Sequence, residues 1–255
     1  MPNLKRLATA SYATVARLAL TVASPMQYLV DRAGDTHAFL DRQAITILRN
    51  DGYRQWADLL HQWEQYLLAG TYYADRGWKN ASHHYNPRTG AGLWHLPSAA
   101  DECCRYAAAA AASWRAGYRD EAIFWLGAAL HLVQDVCEPH HASALVLHGH
   151  QRFETWADRN KALFTVWDQG IYHLGSSPAE WVVANARAAQ PFLPLVAGKK
   201  ASEESYTAAA RVLLPLAQRT GAGFLAFFLE SVCTQVTDQA GIEDQSNQAR
   251  QHTLR

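Results

Sequence analysis

The chain has 255 residues, 49% of them hydrophobic and only 18% charged, with 23 Lys and Arg balancing 23 Asp and Glu. That composition is enough for one large buried core, and the neutral balance gives no global attraction to nucleic acid. No apolar run reaches the roughly 18 residues that suggest a membrane span. The four cysteines, Cys103, Cys104, Cys137 and Cys233, lack the spacing of a zinc knuckle or a dense disulfide scaffold. Adjacent cysteines bridge each other only with strain, so the four read as small apolar residues, with one long-range bridge left open.

Residues 1–23 carry Lys5 and Arg6, then a mildly apolar run interrupted by Arg17, and end in small residues before Ser24 and Pro25. This is the outline of a signal segment cleaved after Ala23; the plain alternative is an N-terminal helix. Secretion or a cell-envelope location follows from the first reading, a cytoplasmic one from the second. From Asp35 or Thr36 the spacing of Phe39, Leu40, Ile45 and Leu48 predicts a helix that Gly52 ends, with His37 in its first turn. A second helix is expected from about Arg54 to Leu68, terminated by Gly70. Residues 71–98 then read as a long loop rich in Gly, Pro and aromatics, holding Asp75, Arg76, Asn80 and His83; loops of this length in a compact domain are commonly functional.

Helices are expected at 99–116, with close packing through Ala107–Ala112, and at 119–134, with Ile123, Phe124, Leu126, Leu130 and Leu132 as its core face. Pro139 forces the chain out of that helix. Another is expected from Ala144 or His148 to about Trp167. Pro178 suits the first position of a helix, with Glu180 in its first turn. A last helix is expected at 203–236, kinked by Pro215, followed by a loose polar tail, 237–255. No strand pattern or internal repeat is present, so the fold class expected is all-α, one domain over residues 24–236.

The stretch HLVQDVCEPHHASALVLHGHQRFE, residues 131–154, carries the chemistry. His131 and Asp135 are four apart, and so are His150 and Glu154; such pairs project from one helix face. His141 lies between them, two residues after Pro139. Imidazole with carboxylate suits zinc, and catalytic zinc typically has three protein ligands and an open position. Scattered surface histidines are the plain alternative, which two pairs and His141 within one short stretch outweigh.

Several segments in order resemble the bacterial zinc-dependent phospholipases C, including the catalytic domain of the alpha-toxin type. THAFLDRQAITILRND is similar to the family's THxxI/V…ILxND opening, AGTYYAD to its Gly-x-Tyr-x-x-Asp segment, and SHHYNP to its SHFYDP segment. FWLGAALHLVQDVCEPHH is similar to its FYLGxxxHYxGDxxxPxH core, GHQRFETWADRNK to its GHxKFExF segment, and SPAEW to its PEEW turn. The resemblance implies three zinc ions in a cleft between helices. His83, His131 and Asp135 would hold one; Asp135 would bridge to a second that His37 also ligates; His141, His150 and Glu154 would hold the third. Asp75 matches a carboxylate that orients the attacking water or takes its proton. The implied reaction is phosphodiester hydrolysis of a phospholipid at a membrane or micelle surface, giving diacylglycerol and a phosphorylated headgroup.

Two departures alter the expectation. The family's N-terminal Trp, whose amine ligates the His37-type zinc, is missing; cleavage after Ala23 would put Ser24 in that role, thirteen residues before His37. Without processing two zincs are expected rather than three. The family's choline pocket has aromatic residues where this chain has Arg76 and Asn80, and a cation there disfavours quaternary ammonium, so an anionic or polyol headgroup is expected. The chain leaves no room for the toxins' C-terminal membrane-binding domain, so strong lysis is not expected, and a monomer is. The alternatives are a trizinc single-strand nuclease, whose later motif usually ends HxxWD instead of HQRFE, and a non-catalytic zinc-binding scaffold.

Overall fold

A computed structural model describes residues 36–146 and 148–253, with side chains described up to Thr234 apart from those of Trp78, Asn80 and His95. The segment 1–23 and Ser24 lie outside the described residues. The elements are α1 (Thr36–Asn50), α2 (Arg54–Gln62), α3 (Glu64–Ala74), α4 (Ala99–Arg115), α5 (Arg119–Asp135), α6 (His150–Asn160), α7 (Pro178–Ala189), the single turn α8 (Leu193–Val196) and α9 (Glu203–Thr253), joined by short 3₁₀ turns. Among the described residues the one β feature is an isolated bridge between Asn86 and Ala91. The all-α expectation holds.

Helix α5 is the axis of the fold. Its residues from Glu121 to Asp135 are buried without a break, and α1, α3, α4, α7 and α9 all pack on it. A helix apolar on every side belongs inside a core, and this one supplies Ile123, Phe124, Trp125, Leu126, Leu130 and Leu132 to it. Trp181 of α7 and Phe224 of α9 fill the far side in edge-on contact, ring centroids 5.9 Å apart. Ser98 and Asp101 form a reciprocal cap at the start of α4.

Several expected boundaries shift, each for a physical reason. The second helix breaks at Trp63, and the chain then continues as α3 through Gly70 to Ala74. Gly70 is not a terminator: a Cβ there would lie 1.8 Å from the Phe124 carbonyl oxygen, and one on Gly127 would lie 2.0 Å from that of Leu67. The two glycines let α3 and α5 cross in backbone contact. Helix α6 starts at His150 because Ala144, His148 and Gly149 all have positive φ, and it ends at Asn160. The expected loose tail is instead helical backbone to Thr253, in keeping with a segment that carries four glutamines and no proline. Pro215 sits inside that helix. The stretch Glu203–Thr234 is long and apolar enough to cross a membrane, contrary to the sequence expectation, but most of its apolar window is buried inside the fold, as for a core helix. Cys103 and Cys137 are buried thiols with no disulfide between them.

Candidate metal centre

The C-terminal turn of α5 delivers Gln134 and Asp135 to the floor of an open cavity of about 730 Å³, and His131 lies buried one helical turn before Asp135. Helix α1 brings His37, the end of α3 brings Asp75, the following 3₁₀ turn leads into His83, and α6 brings His150 and Glu154. Pro139 ends α5, so the chain turns back and His141 faces the same cavity within a single turn of 3₁₀ helix.

In the inner part of the centre, acceptors face acceptors. The Nε2 of His83 lies 3.0 Å from the Ala74 carbonyl, a partner that can only accept, which leaves Nδ1 as the ring's lone-pair nitrogen when neutral. That Nδ1 lies 3.0 Å from Asp135 Oδ2 and 3.3 Å from His131 Nε2. His141 Nδ1 is 2.8 Å from the same Oδ2, but the pair is not aligned for a hydrogen bond, and both atoms are buried without a partner, as is His131 Nδ1. Buried lone pairs converging at ligand spacing fit a cation better than they fit one another. Donor atoms of His37, His131 and Asp135 lie within 4.8 Å of one another, as do those of Asp75, His83 and His131, and of His83, Asp135 and His141. This nitrogen and oxygen set fits zinc.

The outer part is more open. His150 Nε2 lies 2.8 Å from His141 Nε2 and 2.8 Å from Glu154 Oε1, which is 3.5 Å from His141 Nε2. The neighbouring His148 is exposed with φ of 71° and is not part of the cluster.

Protonation follows the surroundings. Burial holds the His131 pKa well below its ordinary value, aided by the neighbouring imidazoles, so the ring is neutral and able to ligate. Burial would also strip His37 and His141, but the Asp135 carboxylate outweighs it: His37 is raised to about 10 and His141 well above its usual value. Burial opposes ionisation of Glu154, yet hydrogen bonds from His141 and His150 bring it down to about 2. Asp75 is raised by desolvation in the cavity, and Asp135 and Glu154 add to that.

The geometry differs from the sequence reading in places. Asp75, expected to serve the water alone, stands within ligand reach of the His83 and His131 nitrogens. Arg76 does not line the cavity; its guanidinium lies over the Tyr72 ring at 4.8 Å, a cation–π contact on an exposed surface. The side chain of Asn80 and all of Ser24 lie outside the described residues.

Three residues go unmarked in the sequence reading. Glu138 grips the turn, its Oε2 accepting from the backbone N–H of His140 at 2.6 Å and His141 at 3.0 Å. Its Oε1 lies 2.6 Å from His140 Nδ1, and its donor atoms group with those of His141 and His150. Asp41 and Gln134 are buried beside His37. A carboxylate three residues before His141 was readable; the Asp41–Gln134 pairing, 93 positions apart, was not.

A helical fold with a buried imidazole–carboxylate centre at the base of a cavity defines a protein whose donor groups are arranged to bind metal. The family model for zinc dependent phospholipase C matches residues 36–185, and the chain belongs to that family. A phospholipase C of Clostridium perfringens is 28% identical over 261 residues, covering 86% of this chain and 65% of the relative. A phospholipase C of Bacillus cereus is 28% identical over 171 residues, covering 61% and 57%. Among solved structures, an alpha-toxin of an avian Clostridium perfringens strain superposes with a TM-score of 0.68, and the alpha toxin of Clostridium absonum with 0.69. Each is 23% identical, over 78% of this chain and 64% of the other, and shows the shared fold. The chain thus spans 57% to 65% of the length of these relatives.

Proposed function

We propose that the chain is a phospholipase C, hydrolysing phospholipids to diacylglycerol and a phosphorylated headgroup. The observation that carries this reading is the convergence of His83 Nδ1 and His141 Nδ1 on Asp135 Oδ2, at 3.0 and 2.8 Å, beside the cavity, with His131 Nε2 3.3 Å from His83 Nδ1. His37, His83, His131, Asp135 and Asp75 would hold the inner ions and His141, His150 and Glu154 the outer one. Bound there, zinc supplies a Lewis acid for the phosphoryl oxygens and lowers the pKa of water from about 15.7 toward about 7.

The protein's own groups do the rest. Asp75 orients the attacking water and accepts its proton, and its raised pKa suits a base working nearer neutrality. Leu40, Phe153, Leu213 and Leu214 give the cavity an apolar wall that excludes water and suits the glycerol and first methylenes of a lipid. Trp94 and Val146 line the same cavity while 72% and 42% exposed, and Leu96 beside Trp94 is also exposed. That apolar rim suits a lipid surface as partner, and no nucleic acid is required.

Removal of residues 1–23 during export would free the Ser24 amine as a further donor to the His37 ion, giving three zincs; an uncleaved chain would hold two. N-terminal sequencing with metal analysis of the mature protein decides this: three zincs with Met1 retained would contradict it. For the activity, the zinc-loaded protein is offered phosphatidylcholine, phosphatidylglycerol, phosphatidylinositol and single-stranded DNA. Diacylglycerol is the expected product. Nucleotides would instead identify a nuclease, and neither product a scaffold.

A further inference from the structure

Asp41 lies fully buried on α1, with both carboxylate oxygens engaged. Oδ2 accepts from the Thr71 hydroxyl at 2.8 Å, and Oδ1 accepts from the side-chain amide of Gln134 at 2.8 Å. A carboxylate can only accept, so Gln134 must turn its Nε2 toward Asp41 and its Oε1 the other way. There Oε1 meets His37 Nδ1 at 3.0 Å. The amide oxygen is again an acceptor, so Nδ1 must carry the hydrogen. His37 is left with Nε2 toward the centre, 3.6 Å from Asp135 Oδ1. One buried charge on α1 therefore dictates, through an amide on α5, which nitrogen of His37 can bind a cation.

A purely structural role, tying α1 to α5, would not need this order of donors and acceptors. It would also not need a buried carboxylate, which is expensive to desolvate. Gln134 moreover stands where the family core segment quoted above carries glycine, so the arrangement belongs to this chain. We propose that Asp41 and Gln134 are positioning residues that fix the tautomer and ring orientation of His37 for the ion it shares with Asp135. This rests on the reading of the centre as a metal site. Such outer hydrogen bonds commonly change metal affinity 10- to 100-fold.

The test uses the full chain, loaded with zinc and dialysed against a weak chelator. Gln134→Leu and Asp41→Leu are expected to release one zinc per chain that the parent keeps, or to bind it 10- to 100-fold more weakly. Asp41→Asn, whose amide oxygen still accepts from Gln134, is expected to restore it. Thr71→Val loosens the outer end of the network only and is expected to keep the parent's zinc. In cadmium-substituted protein with labelled imidazoles, metal–nitrogen coupling is expected at His37 Nε2 in the parent and lost or moved to Nδ1 in Gln134→Leu. Circular dichroism checks that each variant folds, and the Asp41 pair carries the test should Gln134→Leu not fold. Parent-like zinc affinity in Gln134→Leu and Asp41→Leu, or equal zinc loss in Thr71→Val, would overturn the positioning role alone. A parent chain that binds no zinc would overturn the metal reading and this inference with it.

Discussion

The two ends of α5 are buried alike and do opposite work. Toward the N-terminus, Ile123, Phe124 and Leu126 are buried in the apolar core, and Gly127 lets α3 approach until backbones touch. At the C-terminus, His131 and Asp135 are just as hidden, yet one polar atom of each, His131 Nδ1 and Asp135 Oδ2, has no hydrogen-bond partner. Burial of carbon stabilises the fold outright. Burial of lone pairs opposes it until a cation arrives. One helix therefore carries both close apolar packing and buried polar atoms without partners.

The sharpest way to break this comparison is at the crossing. Gly127→Ala sets a methyl 2.0 Å from the Leu67 carbonyl, so α3 and α5 must separate. The expected loss is about 3 kcal/mol or more, measured by urea unfolding. Gly221→Ala in α9, where the added carbon meets side chains at 3.5 Å or beyond, is the control and is expected to be neutral or stabilising by up to about 1 kcal/mol.

At the other end, His131→Leu is expected to reduce phospholipid turnover by roughly a thousandfold or more, as loss of a metal ligand in a water-activating centre should. The same change is expected to raise the midpoint of the metal-stripped protein by about 2–4 °C, corresponding to about 1 kcal/mol, because it removes an unpartnered buried nitrogen. Calorimetry after chelation checks it; a lower midpoint would show that His131 stabilises the fold even without metal. Chelating the parent should itself lower the midpoint by roughly 10 °C, if zinc at about a thousand times its Kd contributes about 4 kcal/mol.

Acid and base should separate the two ends further. The Glu154 pKa is depressed, so its contribution is present above its ordinary value of 4.5 and is lost as pH falls toward about 2. The His37 pKa is raised, so its contribution is full below 6.5 and is lost as pH rises through about 10. Metal-free protein is expected to lose stability on both flanks, and zinc affinity to climb between 6.5 and about 10 as the His37 proton stops competing. Melting curves and zinc titrations against pH would expose a flat profile. The smallest effect is at the rim: Trp94→Ala should weaken binding to anionic vesicles severalfold and leave turnover of a water-soluble phosphodiester unchanged, as its ring is 72% exposed.

Much of the arrangement could be read from the sequence because the decisive spacings are local. His131 with Asp135, and His150 with Glu154, share helix faces whatever else the chain does. Pro139 made a return toward the cavity readable, and the periodicity of α1, α4 and α5 placed the core. What could not be read depends on distant contact. Gly70 looks like a stop signal until Phe124 is seen against it. Asp41 and Gln134 look like ordinary polar residues on two separate helices. Arg76 was expected at the headgroup from its neighbour alone, and the Tyr72 ring holds it elsewhere.

The wrapping of α5 has one further consequence. Its covers come from both ends of the described chain, α1 ahead of it and α9 well behind it. While α9 is still inside the ribosome, a stretch rich in Phe, Trp and Leu stands without its last wall. A half-made or truncated chain would therefore display a long greasy rod to chaperones and proteases, and quality control would see any failure of this protein early.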